Sequence, residues 1–560
     1  MSKIGEKEGA VKQLTWRALL LSGLGSVLIT ASSMYVALRM SALPWPTVFV
    51  AVLSMGLLKL WGKTNVHEVN IAKTGMSAGA MIAGGVAFTL PGLWITGYYE
   101  PYDPATGPMK DWLMPKFWPI FLVTLAGTVL GALLCWQMRR YYLKRLNLPY
   151  PIGTAAAETI SAAEEGGKQG KWLFGTLAAS SAFTLLRDAP STFGASKPWI
   201  PASARGTWGK LPVGIELSPM ALGIGYLIGF GPTAFWFFGA LVAHWLIGVY
   251  GVTSGTFTAE TAGGFSFTAA IGLMVGAGVG ILLSFIKTLM TPQKKSGRGD
   301  EKAFENSRKS KIFSLIAVIL GYVFAVGSGL HWGVSLLLLV GTLFATAMSA
   351  MITGQTGINP MEIFAIIILL AIRIFFTVDT LPAFLITAVV AVACGFAGDL
   401  MNDYKAGDIL GTDPKAQLIS ELIGGVLGSI VAVVGLFAII YQYGGVGGDT
   451  GLSAVQAHTV SAMVGGIGDT FVFVMAGIIG ALMYMFKIPS MIIGIGMLLP
   501  FSMSLVVFLG GLIQYIVQKV RERKSRKRDT ALIPQIVAAG LLGGEGITGT
   551  VLAIIAMIRG

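Results

Sequence analysis

The sequence has few charged residues, few cysteines and few histidines, and each shortage excludes a class of protein. Charged residues make up 12% of the 560 residues and hydrophobic residues 54%, which leaves too little polar surface to cover a water-soluble body of this size. Cys135 and Cys394 both lie in apolar runs and the four histidines are scattered, so we expect neither a disulfide framework nor a metal site. The composition predicts a membrane protein.

Sequence signatures of catalysis and of ATP binding are missing as well. The chain contains no His-Glu-x-x-His, no Gly-x-Ser-x-Gly and no Gly-x-x-x-x-Gly-Lys-[Ser/Thr] phosphate loop. We therefore expect a protein that is not an enzyme, holds no cofactor and does not use ATP directly.

Long apolar runs recur along the whole chain, for example 19–38, 117–138, 235–250 and 312–330. A helix needs roughly 20 apolar residues to cross the hydrocarbon, and by that rule the chain has roughly 15 to 17 spans. The expected fold is an all-α polytopic membrane protein with about 16 transmembrane helices, the first of them at 19–38.

The net charge of +13 is concentrated in short connections between apolar runs, at 139–145, 294–311 and 521–528. Basic connections of this kind mark the cytoplasmic side, whereas the acidic and aromatic segment 98–111 is typical of an outer loop. We expect a cytoplasmic membrane location, an N-terminus inside the cell, contacts with lipids and no nucleic-acid partner.

One glycine pattern occurs twice, at Gly223, Gly225 and Gly239 and again 271 residues later at 494, 496 and 510. Similar segments also recur at 157–162 and 457–462, and at 272–278 and 540–546. Prolines interrupt both copies, which is typical of duplicated transporters with broken or re-entrant helices. The expected organisation is a repeat half at 1–290, a cytoplasmic linker at 291–311 and a repeat half at 312–560. The halves can be parallel or inverted, and chance similarity between glycine-rich segments is the alternative.

Four polar, glycine-rich stretches stand out at 67–79, 148–158, 398–415 and 539–546. Backbone that is not helical at membrane depth is tolerated only beside protein or water, so such stretches are candidates for a transport site. Together with Lys487-Ile488-Pro489 and the segment 488–511, these stretches, in this order, resemble the oligopeptide transporter family over nearly the whole chain. The chain differs from the family near the N-terminus, where it has 33–39 in place of an Asn-Pro-Gly type signature.

The resemblance implies a proton-coupled symporter that imports small oligopeptides or peptide-like metal chelates by alternating access. The alternative is an uncoupled channel or facilitator for a small polar solute. Large helical membrane proteins of this type often pair, so a homodimer is one expectation.

Three residues are candidates for proton coupling. Carboxylates at membrane depth are costly when charged, and histidine titrates near neutral pH, so both can take up and release protons. Glu545 is the first candidate because glycines surround it and Ala277 stands at the matching position of the first half; Glu158 and its counterpart His458 follow. The alternative for each is a structural hydrogen bond between helices.

Further polar residues near helix breaks are candidates for substrate binding or gating. Asn359 precedes Pro360 in a half-helix start whose free amides could hold a peptide carboxylate. For the group around Asp399, a local ion-pair and capping network is the alternative to a gate. The full set is Glu68, Asn70, Thr74, Gln355, Asn359, Asp399, Asn402, Asp403 and Lys405.

Overall fold

The computed structural model describes most of the chain as a bundle of twenty α-helices with one small β-hairpin. The described residues are 13–40, 47–103, 105, 107–164, 169–192, 199–208, 211–290, 308–356, 359–447, 450, 452–465, 469–523 and 533–559. Most of the predicted linker, 291–307, lies outside them.

The helices of the first part are α1 Trp16–Met40, α2 Thr47–Leu60, α3 Val66–Ala87, α4 Gly92–Ile95, α5 Met109–Arg140, α6 Pro151–Glu164, α7 Gln169–Thr192, α8 Pro219–Ile228, α9 Phe230–Ala240 and α10 Ala259–Met290. Those of the second part are α11 Arg308–Gly327, α12 Trp332–Thr356, α13 Met361–Arg373, α14 Thr380–Leu410, α15 Pro414–Tyr443, α16 Val455–Gly465, α17 Thr470–Met485, α18 Ser490–Leu498, α19 Phe501–Arg523 and α20 Ile533–Arg559. The backbone continues α5 as a π-helix over Tyr141–Arg145 and α9 over Leu241–Gly251. Strands β1 Ser203–Trp208 and β2 Leu211–Glu216 pair antiparallel, with Ser203 opposite Glu216.

Ten helical segments among the described residues are long and apolar enough to cross a membrane. Four other apolar helices have 10–17 residues: Val50–Leu60, Pro219–Ile228, Ile312–Gly327 and Thr470–Met485. The prediction of an all-α polytopic membrane protein therefore holds, apart from the β-hairpin. The expected count of about 16 spans is not confirmed, because several apolar runs are divided into helices too short for a full span.

Local sequence explains where several helices begin and end. Asn65, Ser218 and Asp413 each accept a hydrogen bond from a backbone N–H in the first turn of α3, α8 and α15, respectively. Gly411 and Gly444 end α14 and α15 with φ of 76° and 68°, where a residue without a side chain is favoured.

Helices α3 and α14 form the centre of the bundle. Their most apolar 18-residue windows are 94% and 89% buried, against 33% for the segment Phe230–Gly251. Peripheral helices such as α11 expose apolar side chains, Leu315 and Val323 among them, as a lipid-facing surface requires.

The repeated glycine pattern corresponds to a repeated structure. Helices α8 and α9 are separated by a break at Gly229, and α18 and α19 by a break that includes Pro500, which lies 271 residues later. A Cβ at Gly225 would collide with the carbonyl of Val507, and a Cβ at Gly496 with the carbonyl of Trp236; each of these contacts is the other shifted by 271. The two broken helices thus pack on each other reciprocally.

Two more helix pairings show the same reciprocity. Gly272 and Gly276 of α10 approach the carbonyls of 473 and 477 in α17, as Gly540 and Gly544 of α20 approach those of 173 and 177 in α7. The offsets, 268 and 300, are those of the sequence repeats. Likewise Gly127 and Gly131 of α5 approach α14 as Gly424 and Gly428 of α15 approach α3. These contacts support a duplication; the boundaries 1–290 and 312–560, and the relative orientation of the halves, stay predictions.

Candidate functional site

Basic residues mark one end of the bundle. Arg139, Arg140, Lys144 and Arg145 lie where α5 ends in its π-helical turn. Lys144 pairs with Asp408 of α14 at 2.5 Å, so α14 ends and α15 begins on this side. We call this side the basic end; it is the side that the charge pattern predicts to be cytoplasmic.

Three carboxylates meet inside the protein about two helical turns from the basic end. Asp399 and Asp403 lie four residues apart, hence on one face of α14, and Glu421 faces them from α15. One oxygen of each lies within 4.8 Å of the others, and all three side chains are buried. We call these three residues the carboxylate cluster.

Helix α3 supplies a positive charge and a hydroxyl to this cluster. The buried ammonium of Lys73 forms an ion pair with Asp403 Oδ1, and Ser77 Oγ donates a hydrogen bond of 3.0 Å to Asp403 Oδ2. Lys73 and Ser77 lie one turn apart on α3, so both contacts to Asp403 come from the same face of this central helix. The side chain of Lys73 is thus a positive charge of the protein within the carboxylate cluster.

The other two carboxylates have fewer partners, since Asp399 also lies near Lys73 and Ser77 but Glu421 has Lys73 alone as a nearby cation among the described residues. Both oxygens of Glu421 and the Oδ2 of Asp399 lack a hydrogen-bond partner within the described part of the protein. If all three carboxylates are ionised, the cluster and Lys73 together carry two surplus negative charges. Because isolated charges are costly in a buried, apolar setting, such a group takes up protons or cations.

A cavity of about 360 Å³ opens next to the cluster at the basic end, lined by Arg139, Tyr404, Gly407 and Asp408 among others. Tyr404 directly follows Asp403, and Gln417 Nε2 donates a 2.7 Å hydrogen bond to the Asp403 carbonyl. The side chain of Gln417 also lies against Gly407. Tyr404 and Gly407 of the cavity lining thus lie within about one helical turn of Asp403 on α14.

A second buried ionic group joins α1, α7, β2 and α20. Arg39 Nη2 lies 3.2 Å from Glu216 Oε1, and Arg39 Nη1 lies 3.4 Å from Glu545 Oε1. Arg187 Nη2 lies 2.9 Å from the same oxygen of Glu545, and Arg187 also pairs with Asp188 at 2.6 Å. We call these five residues the arginine cluster.

Glu545 is fully hydrogen-bonded in its charged form. Besides the two guanidinium groups on Oε1, its Oε2 accepts 2.9 Å hydrogen bonds from Ser218 Oγ and Met220 N. These donors belong to the first turn of α8, and the N-terminus of a helix favours a negative charge. The carboxylate therefore has four donors and no need of a proton.

The two clusters lie near opposite ends of α15, one on its first turns and the other beside its last residue. Tyr443, the last residue of α15, shares a 2.9 Å hydrogen bond with Tyr35, whose hydroxyl accepts from Arg39 Nη1. Glu421 and Tyr443 are 22 residues apart (443 − 421), which corresponds to roughly 33 Å along a helix. The carboxylate cluster is close to the basic end and the arginine cluster is far from it.

Three of the predicted gating residues lie beside the carboxylate cluster. Asn70 Nδ2 donates to Thr412 Oγ1 at 3.2 Å, and Gln417 Nε2 donates to Thr74 Oγ1 at 3.3 Å. Asn402 donates to the carbonyl of Gly398 and accepts from the N–H of Gly153, which ties α14 to α6. With Asp399 and Asp403, these residues form one polar region.

Other predicted residues lie elsewhere. Glu68 pairs with Arg17 at 2.9 Å near the start of α3, and Lys405 is half-buried and makes none of the described ion pairs of the cluster. Asn359 bonds to Ser349 and to the carbonyl of Cys394, and Gln355 is half-buried at the end of α12.

Of the predicted proton-coupling residues, Glu545 is central to the arginine cluster, whereas the other two lie outside both clusters. The side chain of Glu158 is exposed. His458 is half-buried with its ring edge-on to Phe267.

The sequence analysis did not predict which basic side chains pair with the buried carboxylates. Lys73, Arg39 and Arg187 did not enter the predicted set. A usable signal exists, because basic side chains inside apolar helices are rare and need a partner. Lys73 is such a residue, since it lies in the middle of α3.

Comparison with known proteins settles the family. The sequence model described as OPT oligopeptide transporter protein matches residues 13–556. The chain belongs to this family. A candidate oligopeptide transporter of Haemophilus influenzae is 26% identical to it over an alignment that covers 93% of this chain and 92% of that protein.

Plant members of the family match a shorter stretch. The metal-nicotianamine transporter YSL2 of Arabidopsis thaliana is 27% identical over 28% of this chain and 27% of its own length. The iron-phytosiderophore transporter yellow stripe 1 of Zea mays is 26% identical over 27% of this chain and 24% of its own. The chain is thus an OPT-family membrane protein with relatives named for peptide and for metal-chelate transport.

Proposed function

We propose that this protein is a proton-coupled symporter that imports small oligopeptides or peptide-like metal chelates across the cytoplasmic membrane by alternating access. Membership of the OPT family and the many apolar helices support transport. The observation that carries the coupling is the carboxylate cluster, because two surplus negative charges inside a membrane protein require a mobile positive charge.

Oligopeptides and peptide-like metal chelates, the two proposed substrate classes, have chemical groups in common. Peptides and the chelators of metal ions carry carboxylate and amine groups, and the relatives are named for one class or the other. The metal ion, where there is one, enters as part of the substrate. An uncoupled facilitator is the second candidate; the broken helices α8–α9 and α18–α19 favour alternating access instead.

We propose that the arginine cluster is a gate. It joins four elements of different sequence position, so its ion pairs must separate if α1 and α20 move apart. In this proposal Glu545 is a fixed counter-charge and not the proton carrier, because its four donors all stabilise the carboxylate. Glu158 and His458 stay candidates for coupling from the sequence, as Gln355 and Asn359 do for substrate contact. The inside position of the N-terminus and a homodimeric assembly also stay proposals.

Uptake into proteoliposomes tests this function. Purified protein is reconstituted, and uptake of a labelled tetrapeptide and of an iron-nicotianamine chelate is followed with and without an inward proton gradient. Accumulation above equilibrium that stops when a protonophore is added is the expected result for at least one solute. Equilibration at the same rate with and without the gradient would favour the facilitator, and liposomes without protein give the background.

A further inference from the structure

The three residues of the carboxylate cluster differ in their partners, and this difference bears on where a transported proton binds. We propose that Glu421 and Asp399 bind the transported proton, that Lys73 and Asp403 form a permanent ion pair beside them, and that the proton leaves through the cavity at the basic end. This inference rests on the proposed proton-coupled function and names the groups that perform it.

The hydrogen-bond pattern separates the three carboxylates into two kinds. Asp403 has an ammonium on one oxygen and the Ser77 hydroxyl on the other, so it is stable as a carboxylate. Among the described residues, Glu421 has no hydrogen-bond partner on either oxygen, and Asp399 has none on Oδ2. Both are at most 1% exposed. An unpartnered buried carboxylate is far less costly when it is neutral.

The charged and titratable groups that face Glu421 and Asp399 come from three helices. Among the described groups, Lys73 supplies the ammonium at the cluster. The neighbouring ionisable side chains on α14, α3 and α5 are Asp403, Tyr404, Lys73 and Cys135, with Arg139 further out over the Tyr404 ring. Because Asp403 takes the charge of Lys73, neutrality requires protons on Glu421 and Asp399.

The binding step is an ordinary protonation. A proton from water on the side opposite to the basic end forms an O–H bond with a carboxylate oxygen of Glu421 or Asp399, which gives a neutral carboxylic acid. On release, that O–H bond breaks and a water molecule in the cavity accepts the proton. The wall next to the cavity carries the Tyr404 hydroxyl, which has no described hydrogen-bond partner and is available to pass a proton.

A measurement without any substrate tests the site directly. Infrared difference spectra of the reconstituted protein between about pH 6 and about pH 9 report the carbonyl stretch of carboxyl groups that are protonated at the lower pH, a range in which ordinary exposed carboxylates stay ionised. We expect a band in the wild type that Glu421→Gln and Asp399→Asn each reduce. Glu260→Gln, a change of an exposed glutamate at the start of α10, should leave the band unchanged. Spectra that are the same for the wild type and both cluster variants would overturn the proposal, as would a band that disappears when Na⁺ or Mg²⁺ is added at constant pH.

Transport provides the second readout. With a solute that the wild type accumulates, Glu421→Gln should lose gradient-driven accumulation while Glu260→Gln keeps it. Retained accumulation in a folded Glu421→Gln protein would overturn the assignment even if the symport function holds. Absence of transport for every tested solute would count against the proposed function alone, because the infrared result does not depend on a substrate.

Discussion

The two buried ionic clusters contain similar residues but differ in how completely these are paired. In the arginine cluster, every oxygen of Glu545 has at least one donor and two guanidinium groups share the charge. In the carboxylate cluster, one ammonium faces three carboxylates, and no hydrogen-bond donor to Glu421 is found in the part of the chain that the structure describes. A complete set of partners fixes a structure, whereas an incomplete one leaves room for an ion that comes and goes.

The comparison predicts opposite consequences when a carboxylate is neutralised. Removing one partner of a buried, paired charge leaves the other partner unpaired, which is strongly destabilising. Removing a carboxylate that has no partner leaves no new unpaired group. Stability measurements on isosteric variants can therefore distinguish the two clusters before any substrate is known.

The largest effect is expected for Glu545→Gln. The amide cannot balance Arg39 and Arg187, and its NH₂ group faces either guanidinium groups or the N–H donors of α8. The free energy of unfolding should fall by about 3–5 kcal/mol, measured by thermal unfolding in detergent. An unchanged melting temperature would mean that the ion pairs of this cluster are not formed.

A somewhat smaller effect is expected for Lys73→Met. This change removes the ammonium from Asp403, and a loss of about 3 kcal/mol follows from the unpaired buried charge. The double variant Lys73→Met with Asp403→Asn should recover part of that loss, because the two changes together remove both charges. Losses that simply add in a double-mutant cycle would contradict the ion pair.

The smallest effect is expected for Glu421→Gln. Its oxygens have no hydrogen-bond partner among the described residues. The free energy of unfolding should therefore change by less than about 1 kcal/mol. Glu158→Gln is the matched control at an exposed position, where a change within about 0.5 kcal/mol is normal. A loss as large as that of Glu545→Gln would show that Glu421 has a partner and that the two clusters are alike.

Much of the fold follows from patterns that one sequence displays. Composition and apolar runs predict a polytopic helical membrane protein, and the prolines in the two glycine repeats predict broken helices there; Pro500 lies at the break of α18–α19, whereas Pro219 begins α8 and its break lies at Gly229. The count of spans does not follow, because an apolar run interrupted by proline or glycine reads like a full span but folds as two short helices. The hairpin β1–β2 was not predicted either, because its two strands have only six residues each and a glycine in both.

The candidate site was only half predictable, for a reason of distance along the chain. Asp399 and Asp403 lie four residues apart, and such neighbours share a helix face, so their proximity can be read from the sequence. Glu545 is separated from Arg39 by more than 500 residues, and no local pattern says which arginine it meets. Its reading as a proton carrier depended on its apolar neighbours alone and did not include its partners.

The sequence by itself determined that this protein lies in a membrane, that it is helical and which family it belongs to, since these depend on composition and short-range spacing. The tertiary structure alone decided which buried carboxylate is paired and which is not. That distinction depends on side chains that α1, α3, α7, α14, α15 and α20 bring together, and it separates Glu545, held by two arginines, from Glu421, whose oxygens have no hydrogen-bond partner among the described residues.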